Sequence, residues 1–242
     1  MNSPQKVALV TGSSSGIGAA IARTLYQHGW RVVLNGLGAH DGGHALSAEL
    51  GGTRYVDADV SLYPDAMRLV DETVAFAGRL DAVINNAGVA RRIPHHDLDA
   101  VDDEFWDFVM AVNLKGPWNV AKAARPHLVA TRGQIVNTGS IAGTTAVGSS
   151  IPYSVSKAGV LHLTRLLAKA LGPEIRVNAI APGYIETPLT RDWQALREHV
   201  ETNAPARRLG VPDDVARVVL ALLDMEYVTG AVVPVDGGLS LL

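Results

Sequence analysis

The chain has 242 residues, a hydrophobic share of 48% against a charged share of 19%, and a formal net charge of -3. That composition supports a substantial core and suits one large α/β domain rather than a disordered or fibrous chain. The mild acidity gives no electrostatic case for nucleic acid, no basic run marks a membrane surface, and the absence of cysteine excludes disulfides, thiol nucleophiles and cysteine-ligated zinc.

Lys6 to Thr11 is a short apolar run and a buried-strand candidate. Gly12-Ser13-Ser14-Ser15-Gly16-Ile17-Gly18 follows, and Ala19 to His28 recurs at helical spacing. A glycine-rich turn therefore joins a strand to a helix start. Glycines let a pyrophosphate approach the backbone, and the free amides and dipole of the helix start attract it. A second strand is expected over Arg31–Asn35, ending in Gly36-Leu37-Gly38, then a helix over Asp41–Leu50 and a third strand over Thr53–Asp57. Asp59 and Val60 precede a helix over Tyr63–Ala77. Leu80–Asn85 reads as the fourth strand and closes on Asn85-Asn86-Ala87-Gly88. After a loop, one long helix is expected from Val101 to about Thr131, kinked or broken near Asn113 to Pro117, where proline removes a backbone donor.

Gln134–Thr138 is the fifth strand, followed by a loop of small residues from Gly139. From Tyr153 onward, Val155, Val160, Leu163, Leu167 and Leu171 keep helical spacing until Gly172-Pro173 stops the run. Ile175–Ile180 is the sixth strand, ending in Ala181-Pro182-Gly183. Helices over Pro188–Thr202 and Pro212–Asp224 and a seventh strand over Ala231–Val235 complete the chain. Such alternation implies a parallel sheet covered on both faces. Right-handed crossovers then give a Rossmann-like, doubly wound seven-stranded fold of three α/β/α layers, spanning 1–242 as one domain. Ligands in these folds sit beyond the C-terminal strand ends, at the switch in strand order. Gly12, Asn86, Ser140 and Gly183 all fall at such ends.

Tyr153 and Lys157 are four apart, so a helix sets them on one face. A phenol titrates near ~10, too high to trade protons well at neutral pH. A fixed ammonium close by favours the phenolate and lowers that value, which makes the pair an acid/base candidate. Ser140, at the end of the preceding strand, is placed to bond the same reacting oxygen. The spacing alone is also that of an ordinary surface pair, and the rest of the chain gives it weight.

With these residues in hand, the chain resembles the short-chain dehydrogenase/reductase family over nearly its whole length. It carries T-G-x-x-x-G-x-G from Thr11 to Gly18, N-N-A-G from Asn85 to Gly88, a helix asparagine at Asn113, and Y-x-x-x-K at Tyr153 and Lys157. Ser140 precedes Tyr153 with twelve residues between them, and Pro182-Gly183 with Thr187 matches the nicotinamide-side segment. The resemblance implies an oxidoreductase that interconverts a secondary alcohol and a ketone by hydride transfer. Tyr153 would be the general acid or base, and Lys157 would lower its pKa and bond the nicotinamide ribose. Ser140 would polarise the carbonyl, and Asn113 would hold a water near Lys157. Gly12, Ser14, Ser15, Gly16, Ile17 and Gly18 would meet the pyrophosphate. Asn35 and Gly36 would lie at the adenosine ribose, Asp59 and Val60 at adenine, and Asn86, Ala87 and Gly88 on the adenosine side. Pro182, Gly183, Ile185 and Thr187 would hold the carboxamide end.

Several residues carry two readings. Arg91 and Arg92 follow the N-N-A-G turn, either as a solvated loop or as a cation for a carboxylate or phosphate on the substrate. N-N-A-G-x-x-R-R is similar to family members that handle sugar acids. His95-His96 and His40/His44 read as surface histidines, since adjacent imidazoles on one loop chelate metal poorly; no metal is expected. Trp193 lies in the segment resembling the family's substrate lid, at about 183–208, and either closes on substrate or packs the lid down. His162 and Arg165 are expected to face solvent or a partner subunit.

NAD is favoured over NADP, because no Lys or Arg occurs from Val32 to Thr53 and Ser15 stands where many NADP-dependent relatives carry arginine. The usual ribose-binding aspartate is missing too, with Gly36 in its place. Substrate candidates are a sugar acid, a hydroxy acid or a 3-oxoacyl thioester. The segment from Asn178 to Pro188 resembles 3-oxoacyl-(acyl carrier protein) reductases, and Val32 to Gly38 resembles 3-hydroxybutyrate dehydrogenases. The alternative is a cofactor sensor that has lost its chemistry. The absence of cysteine, of a leader and of an apolar stretch of ~18 residues fits a cytoplasmic protein without a membrane span. A small-molecule carbonyl or alcohol substrate and a homotetramer are expected as partners.

Overall fold

The structure is a computed structural model that describes residues 5–38 and 42–242. His40 and Asp41, named above, lie outside the described residues. Seven strands form one sheet in the order β3-β2-β1-β4-β5-β6-β7. They are β1 (Val7–Val10), β2 (Arg31–Gly36), β3 (Arg54–Asp57), β4 (Ala82–Asn85), β5 (Gln134–Thr138), β6 (Arg176–Pro182) and β7 (Val232–Val235). Every pairing is parallel, with Val10 opposite Leu34 on one side and Ile84 on the other. The chain runs outward from β1 to β3, then returns to β1's other side at β4. That reversal opens the crevice between β1 and β4.

The strands look uniformly apolar because both faces are buried. Their alternation is still visible in what each side chain meets. Ala8, Val10, Val32, Leu34 and Ile84 pack with α1 (Gly16–Gln27), α2 (Gly43–Leu50) and α8 (Pro212–Asp224). Leu9, Val33, Val83 and Ile135 point the other way, onto α3 (Tyr63–Ala77), α5 (Gly116–Thr131) and the end of α6 (Ile151–Leu171). Leu25 of α1 and Leu128 of α5 are fully buried, one on each face. Truncating either to Ala would cost about 2–5 kcal/mol.

One expected helix forms with its break where proline placed it, and another starts late. The stretch expected from Val101 to Thr131 divides into α4 (Asp103–Met110), a π-helical turn (Ala111–Lys115) and α5. Asp102 caps α4 by accepting from Phe105 N at 2.6 Å, which fixes its start. Pro117 has no N–H to return to Asn113, four residues back, and the wider turn absorbs the defect. The helix expected from Pro188 begins only at Gln194 (α7, Gln194–Asn203). Ahead of it, Thr190 Oγ1 accepts from Thr187 N at 3.1 Å and donates to Ile185 O at 2.7 Å. These side-chain bonds hold a turn where a helix would otherwise start.

Candidate active site

The C-terminal ends of β1, β2, β4, β5 and β6 open into one cleft of about 630 Å³. Its first wall is the turn from Thr11 to Ser15. Gly12 has φ +59°, and a Cβ there would stand 2.7 Å from Ala87 Cα. Thr11 Oγ1 accepts from Asn86 N at 3.0 Å and Ala87 N at 3.1 Å, while Asn86 Nδ2 donates to Gly12 O at 3.0 Å. The two turns are thus stitched together with no room between them. Ser15 stands at the N-cap of α1 and makes no side-chain cap bond, which leaves the helix start open to the cleft. An open helix start beneath glycine backbone is the surface a pyrophosphate needs. These residues fit a dinucleotide.

The sequence reading set Gly18 against the pyrophosphate, and the structure gives it a packing role. Gly18 does not line the cleft. A Cβ on it would run into the Gly12 carbonyl and the Asn86 amide, so its absent side chain is what lets α1 pack beneath the turn. Asn35 lines the cleft, but its Nδ2 donates inward to Val56 O at 3.1 Å and Ala58 O at 3.0 Å. That Nδ2 is engaged by β3 and the residue that follows it. Ser13, passed over in the sequence, is wholly buried and exchanges hydrogen bonds with the Asn35 backbone, fixing the turn on β2. Gly36, Asp59 and Val60 line the same end, and the Asp59 carboxylate accepts from Ser61 N at 2.9 Å. His44 rests edge-on against Tyr55, with ring centroids 4.5 Å apart, and does not reach the cleft.

The opposite end gathers the acid/base candidates. Ser150 caps α6, accepting from Tyr153 N at 3.4 Å, and so sets the first turn that carries Tyr153. Ser140 Oγ accepts from Ala142 N at 3.1 Å and donates to Pro182 O at 3.3 Å. Lys157 Nζ donates to Thr138 O at 2.8 Å and lies 5.7 Å from the centroid of the Tyr153 ring. Burial lowers the Lys157 pKa from 10.5 to about 8. Burial also raises the Tyr153 phenol above its ordinary value, and only a hydrogen bond with Ser140 works against it. The desolvation that disfavours the ammonium disfavours the phenolate as well.

Asn113 sits on the π-helical turn and is buried without lining the cleft. Its Oδ1 accepts from Val89 N at 2.8 Å, and its Nδ2 donates to Val89 O at 3.0 Å and Ser156 Oγ at 3.1 Å. The side chain ties the loop after β4 to α6 beside Lys157. Thr138, the last residue of β5, was missed by the sequence reading. It lines the cleft, and its buried hydroxyl has no partner. Its place one residue before Gly139-Ser140, at a strand end, was the available signal. Pro182, Gly183, Ile185 and Thr187 line the far wall, joined by Leu189. Trp193 packs with Tyr184, Val200 and Ala204, away from the cleft. His162 and Arg165 are exposed on α6.

A family model described as enoyl-(acyl carrier protein) reductase matches residues 12–240. The protein named "Granaticin polyketide synthase putative ketoacyl reductase 2" from Streptomyces violaceoruber is 50% identical, over 98% of this chain and 96% of that one. A 3-oxoacyl-(acyl-carrier-protein) reductase of Thermotoga maritima is 38% identical, over 98% of both chains. A solved structure from Burkholderia xenovorans superposes with a TM-score of 0.93 at 35% identity, covering all of both chains.

Proposed function

The chain belongs to the short-chain dehydrogenase/reductase family and is an oxidoreductase of alcohol and ketone substrates, and from that premise we propose that Tyr153, Ser140 and Lys157 carry its chemistry. One observation supports this most. Ser140 and Tyr153, from two different elements, both line the cleft, with the Lys157 ammonium against the floor strand. When bound, a nicotinamide supplies or takes up the hydride at carbon. The chain's part is the oxygen. Ser140 donates to the carbonyl oxygen, and the Tyr153 hydroxyl delivers the proton that completes the alcohol; oxidation runs the same proton back. Its raised pKa keeps Tyr153 protonated at neutral pH, the form that reduction uses. Lys157, near pH 8, is able to return that proton. Asn113 fixes the backbone where a bridging water would enter. The family description names enoyl reduction, whereas the two relatives are named for ketoacyl reduction. Two hydroxyls converging as a donor pair suit a carbonyl oxygen. A cofactor sensor without chemistry has no use for them.

A 3-oxoacyl carbonyl is the substrate class these names favour. The cofactor reading is NAD. Among the described residues no arginine lines the cleft, and at the ribose end the Asp57 carboxylate accepts from Gly38 N at 3.2 Å, which disfavours a further phosphate. The segment at about 183–208 is the substrate lid, held by its own apolar cluster around Tyr184 and Val200. The assembly is a homotetramer, which gives the exposed Val155 and Leu166 of α6 a partner surface. Among the described residues no helix is long and apolar enough to cross a membrane. The test is a panel of 3-oxoacyl thioesters, sugar acids, hydroxy acids and steroid ketones with each cofactor. Reduction of the thioesters with NADH is expected. A preference for NADPH of about tenfold, ~1.4 kcal/mol, would overturn the cofactor reading. A stable monomer in sedimentation would overturn the assembly.

A further inference from the structure

The loop after β4 carries two adjacent arginines in different situations. Arg91 is engaged: its guanidinium lies 3.9 Å from the Phe105 ring centroid and 3.8 Å from the Asp102 carboxylate. Arg92 has no ion pair or hydrogen bond among the described residues and lines a separate pocket of about 270 Å³. His95 and Ser149 line the same pocket. Ser149 is only 7% exposed, and its hydroxyl has no partner. His95 Nε2 is likewise buried and unpartnered. Buried polar atoms are nearly always hydrogen-bonded, so two orphans beside a free guanidinium call for an occupant.

The chemistry of the lining identifies that occupant. No acidic side chain lines the pocket. The guanidinium, the serine hydroxyl and, in one tautomer, the imidazole all donate hydrogen bonds. Hydrogen-bond donors beside an exposed, unpaired positive charge match an oxyanion, and the planar guanidinium fork matches a carboxylate or phosphate. The walls are preset, because Ile93 N donates to Ser149 O at 2.7 Å. Ser149 directly precedes Ser150, the cap of the Tyr153 helix, and Arg92 stands three residues beyond Val89, which lines the reaction cleft. Both walls of the pocket therefore continue along the chain into residues of the reaction cleft and its helix.

We propose that Arg92, His95 and Ser149 form an oxyanion subsite that takes a carboxylate or phosphate carried by the ketone substrate. This rests on the carbonyl-reduction reading and names a feature of its substrate. The experiment compares wild type with Arg92→Ala, Ser149→Ala and Arg91→Ala on a 3-oxo acid and its neutral ester, with inorganic phosphate binding followed separately by phosphorus NMR. Arg92→Ala is expected to lower the acid-to-ester ratio of kcat/KM by about tenfold or more. Ser149→Ala is expected to lower it less, and Arg91→Ala to shift it by no more than about twofold. Phosphate binding is expected to weaken with Arg92→Ala and Ser149→Ala. An unchanged ratio with lost phosphate binding would overturn the substrate assignment in favour of a free oxyanion. An unchanged ratio with unchanged phosphate behaviour would overturn the subsite. Failure of either ketone to turn over, with phosphate still held through Arg92, would count against the carbonyl reading and support the subsite.

Discussion

The half of the cleft under β1, β2 and β4 is built from backbone, whereas the half between β5, α6 and the segment after β6 is built from side chains. In the first, Gly12 and Gly18 bring two turns and a helix so close that a single Cβ would overlap a neighbouring main chain. In the second, Ser140 from the end of β5 and Tyr153 and Lys157 from one face of α6 reach inward and are set by hydrogen bonds and burial. The backbone half tolerates no added atom. In the side-chain half no polar atom is dispensable, because each polar group there acts by its own chemistry.

Removing one atom from the side-chain half is expected to have the largest effect. Tyr153→Phe keeps the ring and loses the proton donor, so kcat should fall by about 10²–10⁴-fold while cofactor affinity and melting temperature stay near wild type. Wild-type turnover in that variant would show that the proton comes from elsewhere. Adding atoms to the backbone half comes next. Gly18→Val should cost about 1–3 kcal/mol of stability, seen as a lower urea midpoint, and weaken cofactor binding with it. A normal midpoint would mean that the Gly12 turn yields easily and that the contrast is overstated.

A third test uses charge. The folded pKa of Lys157 is about 8 against an ordinary 10.5, so between those values the unfolded chain holds more protons at this residue. Its contribution to stability therefore rises with pH across that window, and the full cost of burying the ammonium is borne below pH 8. Urea denaturation of wild type and Lys157→Met across the window should give the wild type the steeper rise. Parallel curves would show that the buried ammonium costs nothing. The smallest effect is expected where the side-chain half is most exposed. Leu189 lines the cleft half-exposed, and Leu189→Ala should change stability by less than about 0.5 kcal/mol while altering KM among ketones of different size. A large loss of stability would make Leu189 part of the core.

The backbone half was the more legible in the sequence. Glycine at Gly12 and Gly16 reports a local need, a positive φ, and a residue type alone conveys it. The strands were equally plain, because burial on both faces leaves short, wholly apolar runs between turn residues. Helix α6 and its Tyr153-Lys157 face followed from periodicity. Errors gathered where a local pattern met a distant partner. The late start of α7 came from Thr190 bonding back to Ile185, which outweighed the helical spacing after Pro188.

The succession of strands and helices, the fold class and the residues at the strand ends were therefore legible in the sequence alone, since periodicity and glycine placement are local properties of a chain, whereas the order of strands in the sheet came from the tertiary structure. Tertiary structure decided what each polar group is free to do. Asn35 was read at the ribose, and only the packing of β3 supplies carbonyls to its Nδ2. Arg91 and Arg92 are indistinguishable as letters, and only Phe105 and Asp102, arriving from α4 and its cap, tie down one and leave the other. The Tyr153 pKa moves upward because water is excluded from both it and Lys157 at once. Hydrogen-bond satisfaction and desolvation depend on what surrounds a group in space, and that is settled only when elements far apart in the chain have packed.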